Sequence, residues 1–538
     1  MPEINLKSSN EEIVNTFFKD ITCDDYQESI FKGGQSFADK ALNNLDINGY
    51  AKKRNNVYPT EKRGSSYLSP YIRHGLLSLK EVWKHVDSFE YQDKTKFRDE
   101  LLWQEFSRHL YAIVGSQNRE FLNFYVQNDP NEVVENDKMN CISTVEQELE
   151  STGYMVNQTR MWYSSHQMFR TNQYWLESEN YMYKHLVDGS RFANRLGWHW
   201  VMGSQTGKIY GFSKFQVNKR APKICKECEL INNCPIENWP EIMSISSKDI
   251  KVDLDIEKNF GPKTVLTSDQ KPDFVWINGE SLGDEDPALN NLSDLPVVFI
   301  FDIKLLKSLD LSTKRIIFLL DTLKEINEKR ELKVYLDNPL DVLSGINYAS
   351  TFAPVPKYKR ITQQIKPSME FPANRLVAPI DFYPRSFSAW RKKNKISSMR
   401  RKIIFFVLFL HNYIYIYSNG RFGKTISDRP CLILESIGGK TGKLRKNVLV
   451  YLKEDNLICI VASKGGNPKN PGWYHNLKNN PEAKIQIGRE RFNVVAREIF
   501  DLERTEWWKK MDFMNNGVYE QYQNRTSRKI PVILLEIT

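Results

Sequence analysis

The spacing of apolar and polar residues divides the chain into stretches of different texture. Residues 1–30 are polar throughout and read as a peripheral segment. From about residue 31 to 235, apolar residues recur at three- and four-residue intervals. "SLKEVWKHV", "KFRDELLWQEFSRHLYAIV" and "CISTVEQELESTGY" each place an apolar stripe on one helical face, with few β-branched runs between them. They predict an all-α domain over 31–260. Within it "YMYKHLVDGSRFANRLGWHWVMG" (181–203) reads as one helix that carries Asp188, Ser190 and Asn194 into Gly197-Trp198-His199-Trp200.

Beyond residue 270 the runs become short and almost continuously apolar: "DFVWI" (273–277), "PVVFIFD" (296–302), "LKVYLD" (332–337) and "RLVAPIDF" (375–382). A helical pattern, "STKRIIFLLDTLKEINEKR" (312–330), intervenes. This strand–helix–strand alternation predicts a parallel α/β sheet over 270–395. Next comes a basic linker, "FSAWRKKNKISSMRRK" (387–402), and an apolar stretch, "IIFFVLFLHNYIYIYS" (403–418); together they make 396–424 a connecting segment. Sixteen residues interrupted by His411 and Asn412 fall short of the roughly 20 a spanning helix needs. The stretch therefore reads as a docking helix or a peripheral membrane-surface contact. From 425 to 538, "CLILESI", "NVLVYLKEDNLICIVAS", "AKIQIGRERFNVVAREI" and "PVILLEI" predict a β-rich unit, with "KEDN" (453–456) as a hairpin turn.

A length of 538 residues fits three domains, and 41% hydrophobic with 26% charged residues is a globular balance. The net charge of +10 favours an anionic partner such as nucleic acid, and 12 Trp, 25 Tyr and 29 Phe supply flat faces for stacking. The N-terminus lacks the apolar run of a secretory signal. Seven Cys is an odd number, and Cys225, Cys228 and Cys234 fall within ten residues. Both features point to a reducing, cytoplasmic compartment and to a metal or cluster site. The spacing Cys-x2-Cys-x5-Cys-Pro suits zinc and an iron–sulfur cluster equally. Ser65, Ser66 and Ser69 precede a predicted helix, where hydroxyls serve either as caps or as donors to a pyrophosphate.

"RGSSYLSPYIRHGLLS" (63–78), "DELLWQEFSRHLY" (99–111), "TGYMVNQTRMWYSSH" (152–166) and the stretch 181–203, in this order, resemble the flavin-binding domain of the photolyase/cryptochrome family. The resemblance implies FAD held by Tyr50, Arg54, Ser65, Ser66, Leu68, Ser69, Phe97, Glu100 and Asn157. It implies an Arg160–Asp188 ion pair beside the isoalloxazine ring and Asn194 facing its reactive nitrogen. Ser190 stands where photolyases usually carry a second Asp. Trp198 and Trp175 match the inner members of the family's electron relay; no Trp occupies the third, surface position, for which Tyr125 is the candidate. Trp200 and Trp103 match the aromatic wall of a pocket for a flipped-out pyrimidine dimer. Glu100 matches the acid at the dimer's polar edge, and Asn157 and Met161 match further pocket positions. Phe97 replaces a usual Trp and Gln104 a usual Arg.

Cys141 with Cys225, Cys228 and Cys234 resembles the iron–sulfur branch of bacterial photolyases and implies a 4Fe–4S cluster. Residues 273–302 resemble the opening of the photolyase antenna domain, here placed after the flavin domain in permuted order, and imply an antenna chromophore. "ESIGGKTGKLRKNVLVYL" (435–452), "VASKGGNPKNPGWYHNL" (461–477) and residues 519–536 resemble the deazaflavin-dependent nitroreductase family, a split β-barrel. That resemblance implies a deazaflavin coenzyme, with Lys440, Lys443 and Arg445 around its phosphorylated tail. Ser463, Lys464 and His475 would line a second loop, and Tyr519 and Tyr522 would cover a ring. The expectation for the whole is a monomeric, multidomain deoxyribodipyrimidine photolyase-like lyase acting on damaged DNA. Light would drive an electron from reduced FAD to a cyclobutane pyrimidine dimer. Two other readings are a cryptochrome-like blue-light photoreceptor and a reductase whose C-terminal domain carries the main activity.

Overall fold

A computed structural model describes residues 2–127, 138–171, 173–237, 244–394, 411–426, 429–439, 442–467, 469–515, 517–523, 526 and 528–538. The chain forms two compact units, Met1–Asn394 and Lys395–Thr538.

Five helices of the first unit frame the candidate site: α1 (Tyr91–Val114), α2 (Asn140–Thr152), α3 (Asn157–Arg170), α4 (Trp175–His185) and α5 (Ala193–Val201). The 24 residues of α1 run unbroken because Leu102, Phe106, Leu110 and Ile113 repeat on one buried face. Helix α2 stops at Gly153, whose φ of 72° favours a residue without Cβ. The stretch 181–203 is two helices rather than one: α4 ends at His185, and Asp188 and Ser190 lie in the loop before α5. The Arg315 guanidinium takes the carbonyls of Tyr183 and Leu186 that a continuing helix would have used. A Cβ at Gly189 would sit 2.0 Å from Arg315 Nη2, so only glycine admits that approach.

Packed with these helices in one core is a six-stranded sheet of β1 (Leu266–Thr267), β2 (Phe274–Ile277), β3 (Val297–Asp302), β4 (Leu332–Asp337), β5 (Tyr348–Thr351) and β6 (Met369–Phe371). Its order is β1-β6-β5-β2-β3-β4, parallel except where β1 meets β6. Val297 lies opposite Val275 on one side and Leu332 on the other. The long helix α6 (Thr313–Lys329), capped by Ser312, buries Ile316 to Leu320 in the same core.

Two departures from the sequence pattern stand out. Residues 375–382 form no strand; the Leu376 and Val377 amides donate to the Glu105 carboxylate at 3.0 and 3.1 Å instead of to a neighbouring strand. The sheet uses the shorter runs at β5 and β6. Residues 2–30 also do more than their polarity suggests. Ile4 N–H donates to the Val334 carbonyl at 2.8 Å, and Ile13, Val14, Phe18 and Ile21 are buried, Phe18 edge-on to Phe301.

The second unit is a closed antiparallel barrel of β7 (Arg429–Ile437), β8 (Leu444–Glu454), β9 (Leu457–Val461), β10 (Glu482–Ile487), β11 (Glu490–Glu498) and β12 (Val532–Ile537). The ring runs β7-β8-β9-β12-β11-β10 and returns to β7. Alternate residues, Leu432 and Leu434 on β7 and Ile458 and Ile460 on β9, fill its centre. The hairpin between β8 and β9 turns at Asp455, φ 53°. Of the apolar stretch 403–418, residues 403–410 lie outside the described set; 411–417 are helical. Tyr415 docks that helix on the barrel, donating its hydroxyl to the Cys431 carbonyl at 2.8 Å. Among the described residues no helix is long and apolar enough to cross a membrane.

Candidate functional site

Helix α3 and the loop between α4 and α5 place Arg160 against Asp188. Arg160 Nη2 reaches the two carboxylate oxygens at 3.0 and 2.7 Å, and its Nε donates to the Met155 carbonyl at 2.9 Å. Asp188 is 4% exposed. Asn194, in the first turn of α5, holds its amide against the same buried loop, its Oδ1 accepting the Ser190 N–H at 2.6 Å. Tyr154 connects this neighbourhood to the serine segment. Its hydroxyl pairs with Ser65 at 2.8 Å, and Arg160 lies 5.6 Å over its ring. Ser66 is hydrogen-bonded to the amide of Leu68, itself buried. Ser69 opens a helix of five residues, Ser69–Arg73, with its hydroxyl buried and without a hydrogen-bond partner.

On α1, Phe97 packs edge-on against Tyr50 at 5.0 Å, and Glu100 accepts from Arg54 at 2.9 Å and lies 3.3 Å from Lys96. Asn157 and Met161, one turn apart on α3, are in contact, the amide 3.7 Å from the thioether sulfur. Trp103 is not an open wall. Phe387 stacks on it at 4.3 Å and 17°, carried by a helix, Phe387–Lys393, anchored through buried Trp390. Trp390 donates its indole N–H to His109 Nδ1 at 3.1 Å, and Arg391 pairs with Asp99 at 2.9 Å. Part of the expected basic linker is therefore folded against the pocket helix. Trp200 lies against Tyr210 at 5.4 Å.

The indoles of Trp198 and Trp175 are neighbours at 6.5 Å, both buried, with neither N–H hydrogen-bonded. Tyr125 is half-exposed but reaches Trp175 only through Phe121. The spacing missed Tyr174, which touches Trp175 directly at 6.0 Å and is 53% exposed. Two adjacent aromatics at a helix start were the signal. Behind Trp175, His199 is buried and donor or acceptor to Asn118; burial holds its imidazole down at about 4.

Cys141, Cys225, Cys228 and Cys234 line one small cavity together with Lys214 and Ile236. Burial, then the neighbouring thiols of Cys225, Cys234 and Cys228, push the Cys141 thiol up. No three of these sulfurs lie within 4.8 Å of one another, wider than the roughly 3.8 Å between sulfurs on one zinc ion, so the set suits a cluster better than a single ion.

In the barrel unit Lys443 and Arg445 are exposed at the β7–β8 hairpin, and Lys440 lies outside the described residues. Ser463 has helical angles and the next residues, Lys464, Gly465 and Gly466, have positive φ of 46°, 65° and 78°. The Gly466 N–H closes the turn onto the Ser463 carbonyl at 2.9 Å, and a right-to-left-handed sequence of this kind turns the preceding N–H groups to one side, a geometry suited to an anion. Arg528 clamps that loop, donating to the carbonyls of Ala462, Ser463 and Asn467. The helix Gly472–Asn479 carries exposed His475 and, through Asn476, binds Gly439 and Ser436 at the end of the β7–β8 hairpin. Tyr519, buried, packs edge-on to Tyr522 at 6.3 Å.

A family model described as the FAD binding domain of DNA photolyase matches residues 97–259, and one described as F(420)H(2)-dependent quinone reductase matches 408–536. An F(420)H(2)-dependent quinone reductase of Mycobacterium tuberculosis is 43% identical over 132 residues, 24% of this chain and 89% of that protein. The deoxyribodipyrimidine photo-lyase of Vibrio cholerae is 26% identical over 202 residues, 35% of this chain and 42% of the relative. The structure of a bacterial class III photolyase from Agrobacterium tumefaciens is similar at 22% identity and a TM-score of 0.31, covering 36% of this chain and 44% of that one. The chain thus spans less than half the length of these two photolyases.

Proposed function

Since the chain belongs to the F(420)H(2)-dependent quinone reductase family through residues 408–536 and joins to it a photolyase-type FAD-binding domain, we propose an enzyme with two activities. The first unit is a light-driven repair enzyme for cyclobutane pyrimidine dimers in DNA; the second is a deazaflavin-dependent reductase. Supporting the first is the convergence of Arg160–Asp188, Asn194 and the Trp198–Trp175 pair in one buried neighbourhood.

The residues present fit FAD. Ser65 and the unpartnered Ser69 hydroxyl suit its pyrophosphate, and the buried Arg160–Asp188 pair and Asn194 suit the polar edge of its ring. When bound, FAD supplies light-excited one-electron donation to the dimer, with return of the electron after the ring splits. The chain's own residues do the rest. Asp188 keeps the Arg160 cation compensated, so the pocket holds a fixed charge pattern before any ligand enters. The Ser190 N–H fixes the orientation of the Asn194 amide. Glu100, held by Arg54 and Lys96, presents a carboxylate to the polar edge of a flipped-out pyrimidine dimer. Trp200 and Trp103 offer stacking faces, the latter once Phe387 moves aside. The Trp198–Trp175–Tyr174 row provides an oxidisable path to the surface, and the net charge of +10 favours phosphate contacts without sequence readout. Cys141, Cys225, Cys228 and Cys234 would hold the iron–sulfur cluster.

An antenna pigment would sit in the crevice at the carboxyl ends of β2 and β5, between Glu280, Phe352 and Arg108. That cavity measures about 100 Å³, below the roughly 300 Å³ of ordinary small-molecule sites, so we propose direct excitation. In the second unit, the Ser463–Gly466 concavity with Lys443 and Arg445 takes the phosphorylated tail of the coenzyme.

Blue-light repair of a dimer-containing oligonucleotide by flavin-loaded, reduced protein tests the first activity. Splitting that falls at least tenfold in Glu100→Ala supports it; a fully loaded enzyme that splits nothing leaves a photosensory protein. Oxidation of the reduced deazaflavin coenzyme with a quinone acceptor tests the second; no turnover by the intact chain overturns it.

A further inference from the structure

Outside both sites, three side chains of metal-ligating type converge from separate parts of the first unit. Cys23 and Asp24 lie in the N-terminal segment, and His185 is the last residue of α4. The Cys23 sulfur, a carboxylate oxygen of Asp24 and a ring nitrogen of His185 all lie within 4.8 Å of one another. Among the described residues no other group of three or more such side chains is so close. A zinc ion bound by sulfur at about 2.3 Å and by nitrogen and oxygen at about 2.0–2.2 Å spaces its ligands roughly 3.3–3.8 Å apart. Small side-chain rotations close the difference.

The group is positioned as a ligand set is. Asp24 accepts from the Ser312 hydroxyl and the Thr313 N–H, both at 2.6 Å, which fixes its carboxylate. The Cys23 backbone is fixed by donation to the Leu311 carbonyl and by the neighbouring bridge between Thr22 and Leu311. His185 is 9% exposed, its Nδ1 is buried with no hydrogen-bond partner, and its ring rests on Tyr181 at 4.8 Å. A buried, unsatisfied ring nitrogen is costly unless something binds it. Cations also face the group: Lys314 Nζ lies 3.4 Å from Asp24 and 2.5 Å from Gln27 Oε1, and Lys184 pairs with Asp310. Both ammonium groups have an oxygen partner of their own.

We propose that Cys23, Asp24 and His185 bind one zinc-type divalent cation, with the fourth tetrahedral position left to water. The ion would staple the N-terminal segment to the end of α4, three residues before Asp188. This site does not depend on the flavin reading.

Zinc content of the full chain, measured by elemental analysis, provides the first test. To discount zinc held elsewhere in the chain, the readout is a difference: wild type should carry one more zinc per chain than Cys23→Ser or His185→Gln. Equal contents in folded variants overturn the proposal. The second test needs no variant. Alkylation of Cys23 in the wild type, followed by peptide mass spectrometry, should slow at least tenfold with added Zn²⁺ and recover with EDTA. An unchanged rate overturns it even where the variants do not fold.

Discussion

Asp188→Ala removes the carboxylate that accepts both contacts of Arg160 Nη2, leaving the guanidinium with its Nε bond to Met155. Removing one partner of a buried pair costs about 3–5 kcal/mol, most of it the penalty of an uncompensated charge. The Arg160 side chain is 17% exposed, so some rehydration is open to it and the expected loss is near the lower bound, about 3 kcal/mol. Asp188→Asn keeps an oxygen acceptor in the same volume and should lose less than half as much. The pair Arg160→Met with Asp188→Leu removes both charges and should be less harmful than Asp188→Ala alone. Urea unfolding of the flavin-free chain, followed by tryptophan fluorescence, gives the midpoints. If Asp188→Ala unfolds within about 0.5 kcal/mol of wild type, the pair is solvent-relaxed and the pocket is not a preorganised cradle.

Phe387→Ala frees one face of Trp103; with an aromatic pair worth about 0.5–1.5 kcal/mol, affinity for a dimer-containing oligonucleotide should rise roughly two- to tenfold in a binding titration. Unchanged or weaker binding would show that Phe387 is not a competitor for that face. Tyr174→Phe should slow photoreduction of the bound flavin at least fivefold, whereas Tyr125→Phe should leave it unchanged, as read by flash absorption. Arg528→Met should raise KM for the reduced deazaflavin coenzyme about tenfold with kcat retained, because each charge-assisted bond it makes to the 462–467 loop is worth about 1.5–3 kcal/mol. Burial holds His74 and His199 at about 3 and about 4, against about 6.5 in the unfolded chain. Between those values the unfolded state binds more protons, so stability is full above about pH 6.5 and falls on acidification, by about 2 kcal/mol per histidine at pH 5. Asp286, pushed up to about 6 by burial, acts in the opposite sense between about pH 4 and 6. The urea midpoint should therefore change less between pH 7 and 5 in His199→Gln than in wild type.

What could be read from the residues depended on how local each feature is. The runs at β2 and β3 are nearly all apolar because both faces of a parallel sheet are covered, so their identity survives without context. Residues 375–382 have the same look, but Glu105, 271 and 272 residues before Leu376 and Val377, takes their amides, and nothing local records that. The convergence of Arg160 and Asp188 followed from a motif that spans whole helices. The break between α4 and α5 did not, since its cause is Arg315, a tertiary neighbour. Residues 2–30 were misleading in a different way. Their mean polarity is high, yet Ile13, Val14, Phe18 and Ile21 fall at spacings that present one apolar side. Phe387 sits in a stretch whose positive charge dominates its appearance, and only packing shows which ring it covers.

Six strands of the second unit close on themselves, and in the first unit Glu3 and Ile4 lie along the outer side of β4. Among the described residues neither the six-stranded sheet nor the barrel offers a long naked rim to an incoming strand, the usual seed of edge-to-edge assembly. Two β-containing units can thus be made in tandem on one polypeptide with little risk of zipping into each other or into a neighbouring molecule while still incomplete. Cutting away the first eight residues would forfeit that protection at β4, and the shortened protein should precipitate on refolding where the intact chain stays dispersed.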